Sequence, residues 1–390
     1  MYRGNQPPGS PGFVWCQANG RQHQSCSFSQ DTPEAYLAEF SAWMPCACVT
    51  FSRSTWISTT YRIEDANRRI SYTNGGLKPC FTTPRDVRME FSSPDEFLVH
   101  VLRSFHPYLG TFVLVGGFAV RLYELHARAA APTVRLLRTF DADLAAPGGP
   151  IPIAGHSLAT LAEAAGFQFD FRGDGRPPAM KLVPKGMKTS APDQYTVEFL
   201  IPMTGAPASR RGNVVVASDI QAGVTAQRLR YLDLLLDSPW SVPLAGLPGI
   251  PEDAQRIMVR VPHPGFFIVQ KVLISVEPGR REKRPKDMAY IYQVVSLFRN
   301  DLAQLAQDVC AGMAGPARKK WLRRFGDLSA SLFKSPTAAG VTETRDTLQA
   351  EMAGTGLDAP TADMICRGVS LFLKEFQREG RVSRRRRASV

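Results

Sequence analysis

The chain has no apolar run long enough for a bilayer. Its two best stretches, "TFVLVGGFAV" (111–120) and "GFFIVQKVLISV" (265–276), fall short of the roughly 20 residues a spanning helix needs. No membrane partner is expected. The N-terminus carries one arginine, then Gly, Pro and Gln, with no apolar segment, so it does not read as a secretory signal, and a cytoplasmic location is expected. A cysteine framework is also missing. The seven cysteines are an odd number, and five of them (Cys16, Cys26, Cys46, Cys48 and Cys80) crowd into the first 80 residues. Cys46-Ala-Cys48 is not a zinc-knuckle spacing, and no matching Cys or His pair follows, so neither a disulfide scaffold nor a zinc site is supported. No internal repeat is evident. Residues 1–88 lack sustained period-2 or period-3.6 patterning, are rich in Ser, Thr, Gln and Cys, and hold Trp15, Trp43 and Trp56. They read as a disordered extension, or as a stretch translated from an upstream start that is not normally used.

Acidic residues are in deficit: 35 Asp and Glu face 47 Lys and Arg, a net charge of +12. Such a balance favours phosphate-rich partners. Part of it is local. "RVSRRRR" (381–387) places five arginines in a tail, 381–390, without apolar pattern, which reads as a solvated tail or as a nucleic-acid contact. "RREKRPK" (280–286) holds five more basic residues, read either as a solvated loop between helices or as a contact to nucleotide or RNA phosphates.

What is present begins at Met89. In "MEFSSPDEFLVHVLRSFHPYLG", Ser93 caps a helix, Pro94 follows at its first position, Glu96 sits third, and Phe97, Val101, Leu102 and Phe105 share one face. Alternation of elements follows. "TFVLVGG" (111–117) is a buried strand ending in two glycines, and "FAVRLYELHARA" is a helix. "TVRLLRTFDADLA" (133–145) is the next strand, "HSLATLAEAAGF" (156–167) is a helix stopped by Gly166, and "FQFDFRG" (167–173) and "QYTVEFLIP" (194–202) are strands. Beyond residue 203, "AQRLRYLDLLLDSP" (226–239) is expected to be helical and "QRIMVRVPHP" (255–264) a strand. Helices then follow almost without interruption. The expected organisation is a mixed α/β core over 89–264, a helical domain over 265–380, and the basic tail.

Two carboxylates stand out in this plan. Asp141 and Asp143 lie two apart in an otherwise apolar strand, so they project from the same face. Like charges that close repel, and one pKa must rise unless a cation sits between them. A hard divalent ion resolves the conflict, since Mg²⁺ is held by one or two carboxylates plus substrate phosphates. Gly116 and Gly117 stand where a strand enters a helix, whose free N–H groups and partial positive charge suit a phosphate. The same turn also reads as tight helix–strand packing. Glu198, in "YTVEFLIP", supplies a third carboxylate, as a further ligand or as a base for an attacking hydroxyl.

The ordered set "VLVGGFAVRLY", "RTFDADL", "VEFLIP" and "VPHPGFFIVQKVLISVEPGRREKRPKD" resembles the nucleotidyltransferase superfamily typified by DNA polymerase beta. More narrowly, it is similar to the branch of bacterial abortive-infection (AbiEii) and related toxin nucleotidyltransferases. The likeness runs over roughly 110–300. It implies an α+β fold: a mixed sheet flanked by helices, followed by a C-terminal helical domain. It implies Mg²⁺ (or Mn²⁺) on Asp141 and Asp143, triphosphate on Gly116 and Gly117, and Glu198 as the third acid. It gives Lys271 a nucleotide-phosphate contact, Asp287 the acid after that lysine, and Arg138 a supporting role before the Asp pair. The activity implied is transfer of a nucleoside monophosphate from an NTP to an acceptor hydroxyl on an RNA end, a protein or a small molecule. A cognate antitoxin or regulatory partner is implied as well. Two other readings belong here. One is a catalytically silent, nucleotide-binding regulatory protein. The other is a serine hydrolase, because "GHSLA" places Ser157 in a partial nucleophile elbow, although the strand before it holds two prolines and the last glycine is Ala159.

Overall fold

In the computed structural model, residues 89–388 are described except for 174–175, 188–193, 204–215 and 278–279, with backbone alone over 380–388. Before residue 89 only the backbone of five short strands is described. The chain divides into two compact units, Met1–Arg85 and Asp86–Val390. In the first, β1 (Phe13–Ala18) pairs antiparallel with β2 (Arg21–Cys26). A second antiparallel sheet holds β3 (Cys48–Thr50), β4 (Tyr61–Asp65) and β5 (Arg68–Tyr72). The rest of 1–88, on which the expectation of a disordered or non-native extension falls, lies outside the described residues.

The second unit opens with α1 (Pro94–Ser104). The Ser93 hydroxyl accepts from the Glu96 N–H at 3.1 Å, as its place at the cap demands. Glu96 reaches back one residue further than a capping box would, accepting from the Ser92 N–H at 2.7 Å. Next come β6 (Val113–Val115), α2 (Gly116–Tyr123) and β7 (Asp141–Ala145). Then follow α3 (Leu158–Ala164), β8 (Phe167–Arg172), β9 (Ala179–Pro184) and β10 (Thr196–Pro202). Strands β11 (Ala217–Gln221) and β12 (Val224–Leu229) complete a seven-stranded sheet whose main path is β11-β12-β10-β7-β6. β9 joins β10 to β8. The sheet is mixed: β10 runs parallel to β7 and β12, while β6 is antiparallel to β7. A separate ribbon pairs β13 (Trp240–Pro243) with β14 (Met258–Val261).

Helices follow: α4 (Pro264–Ile274), α5 (Arg284–Leu297), α6 (Leu302–Gly312), α7 (Pro316–Phe333), α8 (Ala339–Met352) and α9 (Ala362–Ala388). Every residue of α4 is buried, so it is the central helix, and the sequence is apolar all round it except for Gln270 and Lys271. Among the described residues no helix is long and apolar enough to cross a membrane. The fold is the expected α+β arrangement of mixed sheet, flanking helices and helical C-terminal region. α9 runs on through the arginine-rich stretch to Ala388, so its backbone there is helical.

Several local expectations are corrected. The strand expected over 133–145 exists only from Asp141; 135–140 is irregular. The helix expected over 226–239 is not formed. Val224–Leu229 is strand β12, and a 3-10 turn follows at Leu232–Leu234. Tyr231, in the left-handed region at φ 59°, breaks the leucine-rich stretch that looked helical. β9 and β11 were not anticipated. β9 carries a lysine mid-strand between prolines, and β11 ("ASDIQ") is short and polar, so neither has a clear apolar alternation.

Two anchors fix the glycine turn. Arg121 of α2 makes a bidentate pair with Asp95 of α1, at 3.1 and 2.8 Å. Tyr123 donates to the Pro262 carbonyl at 2.8 Å, tying the end of α2 to the start of α4.

Candidate functional site

Asp141 is the first residue of β7, and Asp143 is its same-face neighbour. The parallel strand β10 presents Thr196 opposite Asp141 and Glu198 opposite Asp143. Thr196 donates its hydroxyl proton to Asp141 Oδ1 at 2.6 Å. Glu198 is ion-paired with Lys181 of β9, its cross-strand partner. On the other edge, Val115 of β6 pairs with Asp143, which carries the chain directly into Gly116.

The two glycines serve different needs. Gly116 has φ +71°, a conformation open to few residues other than glycine, and a β-carbon there would collide with Asp143 Oδ2. Gly117 packs on the Tyr290 hydroxyl, and a β-carbon would also fall 2.7 Å from Thr139 Oγ1. Close packing therefore accounts for Gly117 without a ligand, as one of the two sequence readings held. Gly116 is the residue that brings backbone against the acid pair.

Electrostatics makes the acid pair unusual. Burial pushes the Asp143 carboxyl up to about 8, and the charges of Glu198 and Asp141 add to that, while Lys283 and Lys271 oppose it. With no cation, Asp143 keeps its proton at neutral pH. A hard divalent cation fits these donors, since two same-face carboxylates give it oxygen ligands and it removes the repulsion that raises Asp143. Among the described residues, no group of three or more His, Cys, Asp or Glu side chains is gathered into a metal site. The expected third acid, Glu198, is occupied by Lys181.

Lys271 and Asp287 are brought together. The lysine Nζ donates to Asp287 Oδ1 at 2.7 Å, and Arg280 donates to Oδ2 at 2.6 Å. Burial alone would raise the Asp287 carboxyl, but Lys271 and Arg280 hold it below its ordinary value. Lys271 lies near the rings of Phe267 and Tyr290, at 5.3 and 5.7 Å, and is buried. It acts on Asp143 through its field, while its ammonium is committed to Asp287. Burial also pushes the Tyr290 phenol well up. Arg138 is exposed and faces Glu351 of α8 at 3.7 Å.

Lys181, Lys283 and Lys286 were not singled out individually from the sequence. Lys283 and Lys286 lie in the basic run 280–286, and the field of Asp141 reaches Lys286. That run is thus drawn to the acids. Lys181 was invisible because β9 itself was missed. A lysine inside "AMKLVP", with apolar residues on both sides, was the available signal.

Ser157 caps α3, accepting from the Thr160 N–H at 3.1 Å. His263, the histidine beyond it, accepts from the Gly265 N–H through Nδ1 at 3.2 Å. The neutral ring therefore carries its proton on Nε2, 3.1 Å from Asp308 Oδ2. Neither residue is arranged as a hydrolytic dyad, and the serine-hydrolase reading is set aside.

Sheet, glycine turn and acid pair together have the form of a nucleotidyltransferase. A nucleotidyltransferase family model matches residues 97–314, more than half of the chain, and the chain belongs to that family. Neither a curated protein nor a solved structure matches it.

Proposed function

We propose that the chain transfers a nucleoside monophosphate from an NTP to an acceptor hydroxyl, with Asp141 and Asp143 holding Mg²⁺ or Mn²⁺. The observation that carries this reading is the same-face pair at the start of β7, set against the backbone of Gly116 in a member of a nucleotidyltransferase family. The acceptor oxygen bonds to the α-phosphorus, the bond from that phosphorus to the bridging oxygen breaks, and pyrophosphate leaves with the electron pair. The hydroxyl proton passes to Glu198, which the ion pair with Lys181 holds in place beside Asp143. When bound, the cation would supply charge neutralisation on the phosphates and lower the pKa of the acceptor. Thr196 fixes the orientation of Asp141 by its hydrogen bond, and Gly116 lets phosphate oxygens approach the backbone. Lys283 and Lys286, whose charges act on the acid pair, add positive potential there. The Gly-Gly turn followed by Arg138-Thr-Phe-Asp-Ala-Asp143 and Lys271…Asp287 supports placement near the AbiEii-like branch. A cognate antitoxin or other regulatory protein is the partner this placement implies.

The test is incubation of the protein with each α-labelled NTP, divalent cation and total cell RNA and protein. Label should move to an acceptor, and Asp141→Ala or Asp143→Ala should reduce transfer by at least about a thousandfold. Transfer that survives in both variants would refute the site. Mg–NTP binding without any transfer would make the protein a nucleotide-binding regulator instead.

A further inference from the structure

A row of opposed side chains crosses the sheet at the level of the acid pair. Asp143 of β7 lies opposite Glu198 of β10, Glu198 opposite Lys181 of β9, and Lys181 opposite Asp170 of β8. Directly opposed residues share one face of a sheet, so the row is a single band of acid, acid, base and acid. It ends at β8, whose one partner among the described strands is β9.

Lys181 is the cation of this band, and strand pairing fixes it there. Its chain neighbours Met180 and Leu182 turn to the opposite face and are buried. They lie opposite Phe171 and Phe169 of β8. A slip of β9 by one residue would turn the lysine onto that apolar face. Its ammonium is ion-paired with Glu198, and the two side chains are 24% and 12% exposed. Burial works against the charge on Lys181, but Glu198 and Asp141 outweigh it and hold the amine protonated. Asp170, the other carboxylate beside it in the band, already accepts from Arg172 Nε at 2.7 Å. Glu198 is thus the partner left to Lys181.

Three carboxylates, Asp141, Asp143 and Glu198, meet in a partly buried site. Buried charges must be paired or bound to a metal. Lys181 accounts for Glu198, and a single dication accounts for the two aspartates. A second dication on Glu198 would displace the lysine and leave its ammonium in the band without a partner, which is costly for a group withdrawn from water.

Resting on the nucleotidyl-transfer reading above, we propose that the site holds one divalent ion, on Asp141 and Asp143, and that Lys181 takes the place of a second by neutralising Glu198. Lys181 is then a positioning residue: it acts through Glu198 and decides how many metal ions the three acids accept. The experiment loads the full chain with Mn²⁺ and a non-hydrolysable NTP analogue. Bound ions are counted by equilibrium dialysis, and their electron paramagnetic resonance is recorded. The wild type should bind one Mn²⁺ per chain, with the spectrum of an isolated ion. Two ions about 3.5–4 Å apart, as in two-metal sites, would couple magnetically. Lys181→Gln should free Glu198, admit a second Mn²⁺ and produce that coupling. Lys181→Arg and the double variant Lys181→Gln/Glu198→Gln should each show one uncoupled ion. Two coupled ions in the wild type would overturn the inference, a result that needs no variant to fold. A folded Lys181→Gln protein that still binds one ion, or a double variant that keeps the second, would overturn it as well. A wild type that takes up neither Mn²⁺ nor the analogue would instead overturn the nucleotidyl-transfer reading on which it rests.

Discussion

The Asp143 carboxyl links the proposed metal site to the stability of the protein. Its folded pKa, about 8, lies above the ordinary carboxylate value near 4. In metal-free protein the folded state therefore holds a proton that the unfolded chain gives up. The contribution of this group to stability is full below about pH 4 and is lost as pH rises toward about 8. Thermal melts in EDTA should show that decline, and Asp143→Asn should flatten it and raise Tm at pH 8 by a few degrees. Mg²⁺ should stabilise the wild type more at pH 8 than at pH 6, because it replaces the proton. At Gly116, alanine faces a collision with Asp143 and a backbone angle of +71°. Gly116→Ala should cost about 1–3 kcal/mol in denaturant unfolding and suppress transfer.

At the scale of elements, α4 and α5 are joined by a buried charge cluster rather than by apolar contact alone. Asp287 is shared by Lys271 and Arg280, and removing it leaves a buried lysine unpaired. Asp287→Ala should cost about 3–5 kcal/mol of stability, whereas Lys271→Met/Asp287→Leu should recover most of that. If transfer stays low in the stable double variant, the pair serves the site through its field; if it returns, the pair is structural. How legible these elements were depended on how local their cause is. The Ser93 cap and the β7 acids follow from short-range chemistry and could be read from the chain, whereas Lys271 and Asp287 came only with the family resemblance. Strand β12 could not be read, because it runs into the leucine-rich stretch 229–236 that suited a helix, and only pairing with β10 and β11 decided otherwise. Lys181 became visible only through β9, because its ion pair with Glu198 exists only once β9 lies beside β10.

For the molecule as a whole, the separation at Arg85 predicts independence. A chain beginning at Asp86 should melt cooperatively and bind Mg–NTP with the affinity of the full protein. Loss of either would mean that the first unit supports the second. The packing at the paired glycines bears on how the chain could diverge. Position 116 is blocked by the Asp143 carboxylate and position 117 by Tyr290 and Thr139. A descendant that lost catalysis but kept this interior would still need glycine at 117, because the constraint there is steric and not functional. Glycine at 116 is held twice, by the acid at 143 and by its own φ of +71°, so shortening the acid would lift only the first constraint. In any set of relatives, the second glycine would therefore report ancestry of the fold, and the aspartates would report whether the metal site proposed here survives.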